Sequence, residues 1–153
     1  MKTKIKYEVG SETLQKILLA SLKAESSYDQ LKSKTSNKVI LNWIDAKKES
    51  TTDFILKVLT HLEDMEIEPK SKSAIRLRLN QFLMNLKSLI IPPKDEMIIR
   101  ETLKVDAAYL KVINEVMKSP SITDDLYQLY SSQIEKIRMR PGPAVEDLEV
   151  LLS

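Results

Sequence analysis

The chain has 153 residues, 42% of them apolar and 30% charged, which is enough for one domain with a real core. Lysine and arginine number 24 against 22 acids, so a net charge of +2 gives no push toward nucleic acid or acidic lipid. The absence of cysteine excludes disulfides, thiolate metal sites and cysteine nucleophiles.

The opening "MKTKIKYEVG" carries lysines with no apolar stretch after them, so it does not read as a secretory signal. Its alternation suggests an extended or disordered arm over 1–10. With Ser11 as N-cap, a first helix is expected to about residue 34, with Leu14, Ile17, Ser21, Ala24, Tyr28 and Leu31 on one stripe. The polar break "SKTSNK" offers Ser36 as the next cap, and a second helix is expected over about 37–66. Its apolar positions include Ile40, Trp43, Ile44, Phe54, Ile55, Val58 and Leu62.

Proline costs on the order of 3 kcal/mol inside a helix, so Pro69, Pro92, Pro93, Pro120, Pro141 and Pro143 mark boundaries. Between Pro69 and Pro92 a shorter helix is expected, bearing Ile75, Leu79, Phe82, Leu86 and Leu89. A third long helix follows, with Asp95 and Glu96 in its first turn, where the helix dipole favours acids. Ser121 to Asp124 reads as a capping-box-like start for a fourth, carrying Leu126, Leu129, Tyr130, Ile134 and Ile137. The tail over 141–153 has Val145, Leu148 and Leu152 on one face, too short a helix to stand unless it docks on its own bundle or on a neighbour.

Two hairpins joined by one helical crossover is the ferritin-like arrangement of an all-α four-helix bundle, here over 11–140; an all-antiparallel five-helix bundle is the alternative. In local text, "VDAAYLKVINEV", "LLASLKAESSYDQL" and "QLYSSQIEKI", the chain resembles the small bacterial ferritin-like bundle domains catalogued as a domain of unknown function. The resemblance covers about residues 12–138 and implies a four-helix bundle and a homodimer, with no agreed activity.

Ferritin-like di-iron sites take a Glu from each of two helices and Glu-x-x-His from each of two others. Here Glu25, Glu49 and Asp106 are the only metal candidates, and the pattern is incomplete: Thr52 stands three after Glu49, and Arg138 three after Glu135. The single histidine, His61, reads as a hydrogen-bonded boundary residue. Magnesium or calcium held by oxygen ligands alone stays open. With two glycines in the whole chain there is no phosphate loop, and nothing near His61 suggests a Ser–His–acid arrangement. Tyr127 and Tyr130 read as core or rim packing before ligand stacking.

Two features break the apolar pattern. Asp106 lies on the line Ile99, Leu103, Leu110, Ile113, Met117, and "KKESTTD" interrupts the second helix with seven polar residues. Together with "ESS" at 25–27 they suggest a polar mid-height, read as a remnant site filled by hydrogen bonds and water, a solvated groove, or a switch of core face. The expected partners of Asp106 are Lys47, Ser50, Thr51 and Ser26.

The function expected from these residues is a non-enzymatic, cytoplasmic bundle without cofactor, acting through contact with an unknown protein partner, as a homodimer, with a stress-related role. The rival is a metal-binding or oxidoreductase bundle using Glu25, Glu49 and Asp106. Nucleic-acid binding through lysine-rich surface is a weaker third reading. No apolar run approaches the roughly 20 residues of a membrane helix, so no membrane association is expected.

Overall fold

A computed structural model describes the backbone of residues 2–66, 94–120 and 122–138, and side chains within these from residue 12 onward. Among the described residues there are four α-helices and no strand: α1 (Lys2–Lys32), α2 (Lys38–Asp64), α3 (Asp95–Met117) and α4 (Asp124–Arg138). None of them is long and apolar enough to cross a membrane. The expected helix between Pro69 and Pro92, the tail over 141–153 and Ser121 lie outside the described residues.

The first helix departs from expectation. It begins at Lys2 and runs unbroken through Gly10 and Ser11, so the extended arm and the Ser11 cap are corrected. Once the apolar stripe from Leu14 onward has nucleated the helix, extending it backward adds one hydrogen bond per residue fixed. Gly10 opposes this by only about 1 kcal/mol relative to alanine. Six alternating residues are too few to compete.

At the start of α2 the cap is Asn37, one residue beyond the expected Ser36. Its Oδ1 accepts from the backbone N–H of Val39 at 3.0 Å and of Ile40 at 3.4 Å. Asparagine caps as well as serine does, and the extended backbone at Asn37 allows it. The chain leaves α2 through Glu66 with φ 56°, a left-handed conformation usually taken by glycine at a helix end. At α4, Thr123 supplies the capping oxygen, accepting from the N–H of Leu126 at 3.4 Å. Asp124 and Asp125 follow in the first turn, and Lys136 and Arg138 close the last.

Cross-helix contacts fix the directions. Lys32–Asp45, Asp29–Lys48 and Glu25–Thr52, each at 2.6 Å, make α1 and α2 antiparallel, because one number falls as the other rises. Tyr109 to Gln133 and Lys47 to Ile137 carry α4 back antiparallel to both α3 and α2. Asn37 meets Asp95 at 3.2 Å and Lys47 meets Asp106 at 2.8 Å, so α2 and α3 start at the same end and run parallel. Ser21 to Tyr109 and Tyr28 to Asp106 set α1 antiparallel to α3.

The four inward stripes pack as one apolar core. Leu14, Ile17, Ile40, Ile44, Val58, Ile98, Ile99 and Ile113 are fully buried, as are the rings of Trp43, Tyr28 and Tyr130. Tyr130 stands edge-on to Phe54, with centroids 6.1 Å apart and planes at 64°, a favourable aromatic geometry. Tyr127 faces outward instead, so of the two tyrosines grouped by sequence only Tyr130 belongs to the core. The middle of this core, however, is polar.

Candidate functional site

On α2 the buried line runs Ile40, Trp43, Ile44, Lys47, Thr51, Phe54, at helical spacing. The core face therefore does not switch within "KKESTTD". Two polar side chains of that stretch stay on it, and Lys47 is only 4% exposed. On α3 the line Ile98, Ile99, Thr102, Asp106, Tyr109, Ile113 does the same, with Asp106 at 7%.

These two charges meet. Lys47 Nζ donates to Asp106 Oδ2 at 2.8 Å, and Tyr28 of α1 donates its hydroxyl to Oδ1 at 2.6 Å. Lys47 also donates to the carbonyl of Ile137 at 2.9 Å. That carbonyl lies in the last turn of α4, where backbone acceptors have no partner within the helix. Lys47 thus satisfies a helix end and a carboxylate together, and its Nζ sits 5.0 Å from the centre of the Trp43 ring. All four helices contribute to this cluster.

One turn further along α3 lies a second, neutral tier. Tyr109 Oη pairs with Ser21 Oγ at 2.7 Å and accepts from Gln133 Nε2 at 3.4 Å. Thr51 and Thr102 bond back to the carbonyls of Lys47 and Ile98, both at 2.8 Å, and so satisfy their hydroxyls within their own helices.

The electrostatics follow from burial. The Tyr28 phenol is held far above the usual tyrosine range, first by desolvation, then by the charge of Asp106 and the hydrogen bond to it. Burial raises Tyr109 as well, against the opposing hydrogen bonds of Ser21 and Gln133. Tyr130 is raised by burial. At the surface, the hydrogen bond to Asp29 raises Lys48.

The three carboxylates singled out by sequence are not brought together. Glu25 is half-buried and accepts from the Thr52 hydroxyl, and Glu49 is exposed beside Asp45 and Asp53. Asp106 is in the core with both oxygens engaged by Lys47 and Tyr28. Among the described residues no group of three histidine, aspartate or glutamate side chains converges to hold a metal ion. A di-iron centre built on Asp106 does not fit, because the position facing it is filled by the Lys47 ammonium group, which repels a second cation.

Of the expected partners of Asp106, Lys47 is found. Ser50 and Thr51 instead turn back on the carbonyl of Lys47, and the second oxygen goes to Tyr28, not to Ser26. Sequence reasoning missed Tyr28, although it sat on the core stripe and a buried phenol needs a partner. It also missed the carbonyl of Ile137, for which a sequence carries no signal. No protein family, curated protein or solved structure was found that matches this chain.

Two buried polar atoms, Trp43 Nε1 and Tyr130 Oη, have no hydrogen-bond partner among the described residues. An unpaired buried hydroxyl costs about 1–3 kcal/mol, so its removal should not harm the fold. Tyr130→Phe is expected to leave stability unchanged or raise it by up to about 1 kcal/mol in denaturant unfolding. A loss above about 1 kcal/mol, the worth of one hydrogen bond, means that this hydroxyl is paired in solution.

Proposed function

We propose that this chain is a non-enzymatic, cytoplasmic interaction module built on a ferritin-like bundle, self-associating as a homodimer and serving a stress-related role through a protein partner. The parallel course of α2 and α3 fits the ferritin-like order, and it fits equally an all-antiparallel five-helix bundle in which one helix returns between them. Two helices that start at one end need a connection returning the length of α2, whose 27 residues span about 40 Å.

The observation that carries the reading is the Lys47–Asp106–Tyr28 cluster. It occupies the mid-height at which ferritin-like proteins hold their metals, and it offers neither ligands nor an open nucleophile. Both Asp106 oxygens accept hydrogen bonds, and Lys47 is locked between a carboxylate and a carbonyl. A surface groove between α1 and α3 is lined in part by Tyr109 but by neither Asp106 nor Lys47. What such a cluster supplies is a defined register among four helices, and hence rigid outer faces.

Elemental analysis of protein purified without a tag is the test. Iron and manganese should be far below stoichiometry, and added divalent cations should leave the melting temperature unmoved. Iron near the two ions per chain of a di-iron centre overturns the reading in favour of the oxidoreductase rival.

A further inference from the structure

A groove with a volume of about 620 Å³ runs between α1 and α3. Its floor is apolar and low, formed by Leu19, Ala20 and Ala24 of α1 and by Val105, Ala108 and Val112 of α3. The alanines let another backbone approach closely. Charge is confined to the edges and is unequal between them. The α1 edge carries Lys16 and Lys23, whereas both acids of the groove, Glu101 and Glu115, lie on the α3 edge, with Lys104 bonded to Glu101 at 3.0 Å.

The hydrogen bond between Ser21 and Tyr109 levels the two helices. Lys16 is five residues before Ser21 and Glu115 six after Tyr109; since the helices are antiparallel, both lie toward the same end of the groove, on opposite edges. We infer that this groove is the contact face for a second copy of the chain, related by a two-fold axis along the groove. This rests on the reading of the chain as an interaction module.

Rotation about that axis keeps each residue at its height and exchanges the edges. The α1 of one copy then lies over the α3 of its partner, and Lys16 faces the partner's Glu115, twice over by symmetry. Leu19, Val105 and Val112 of the two copies interleave on the shared floor, so that two helices from each chain form an intermolecular four-helix layer. Lys23 comes nearest the partner's Lys104, which is bonded to Glu101, so the two Lys16–Glu115 pairs carry the charge complementarity. A partner with like charges on both flanks gains on one edge and loses on the other, which favours a second copy over a uniformly acidic or basic helix.

Light scattering over a range of concentrations tests this on the full chain. The wild-type protein should have twice the chain mass. Lys16→Glu and Glu115→Lys should each weaken the dimer by at least about tenfold in Kd, because each places like charges together at two sites. The double swap Lys16→Glu/Glu115→Lys should restore it to within about threefold, since it rebuilds both pairs with signs reversed. Ala108→Arg, at the centre of the floor, should give a monomer, with circular dichroism confirming an intact helical fold.

A wild-type chain that stays monomeric at about 100 μM, a concentration at which even weak dimers form, overturns the inference and means that something else covers the groove. A dimer indifferent to all these changes also overturns it, by placing the interface on another face. A monomer also removes the homodimer of the proposed function, whereas an indifferent dimer removes this face alone; neither result alters metal content.

Discussion

Replacing Asp106 with asparagine is expected to lower the melting temperature by roughly 10 °C, a loss of about 3–5 kcal/mol for a chain of this size. The substitution keeps the shape of the side chain and removes only its charge. Taken alone, the sequence places an Asp106 that is merely hydrogen-bonded, and the same change then costs about 1 kcal/mol. The structure raises the figure because the partner is a lysine ammonium that is 4% exposed and has no water to turn to. Lys47→Met should cost a similar amount, by stranding the carboxylate and freeing the carbonyl of Ile137. Denaturant unfolding followed by circular dichroism measures both. A loss below about 1 kcal/mol for either variant means that the pair is solvated.

The second large effect is alkaline unfolding. Tyr28, Tyr109 and Tyr130 are all buried, and each is held above the usual tyrosine value of 10.0. A raised native pKa means that above pH 10 the unfolded chain releases protons that the native chain keeps. Stability from this source is therefore complete below the unfolded value and is lost as pH rises past it. Each tyrosine contributes up to about 1.4 kcal/mol per pH unit, so the three together remove about 4 kcal/mol per unit once the unfolded phenols ionise. The phenolate absorbance of these three buried tyrosines should rise together with the loss of helical circular dichroism, in one cooperative step. Tyr28→Phe should reduce the slope by about a third while lowering stability at neutral pH, because the hydrogen bond to Asp106 goes with it. Ionisation of all three tyrosines well before any helix is lost would show that they are open to solvent.

Much of the bundle is legible in the sequence, because its helices are bounded by local chemistry. Prolines and capping residues act within one turn, so α3 falls where the punctuation puts it, while α4 begins at Asp124 with Thr123 as its cap in place of the expected Ser121. The α1 start lies beyond such local signals: six residues of alternation do not compete with a helix whose nucleus lies downstream. The polar mid-height was half legible. Asp106 on an oily line announces a buried carboxylate, and a buried carboxylate demands a donor. Which donor answers is a non-local matter. Lys47 and Lys48 are adjacent in a run of seven polar residues, and one is core while the other pairs with Asp29 at the surface. Their difference lies in phase: Lys47 is four residues after Trp43 on the buried line, and Lys48 is one step around the helix. Phase would have singled out Lys47, but only the packing of α1 against α3 places Tyr28 on the second oxygen.

The most direct test of a mid-height held by charge pairing in place of metal is a double-mutant cycle on Lys47 and Asp106. Lys47→Met, Asp106→Leu and the two combined are measured by denaturant unfolding in the presence of chelator. The single variants should each lose about 3–5 kcal/mol, and the double variant, which leaves neither charge stranded, should recover most of that loss. Losses that simply add in the double variant, or a wild-type stability that falls when chelator is added, would contradict the account.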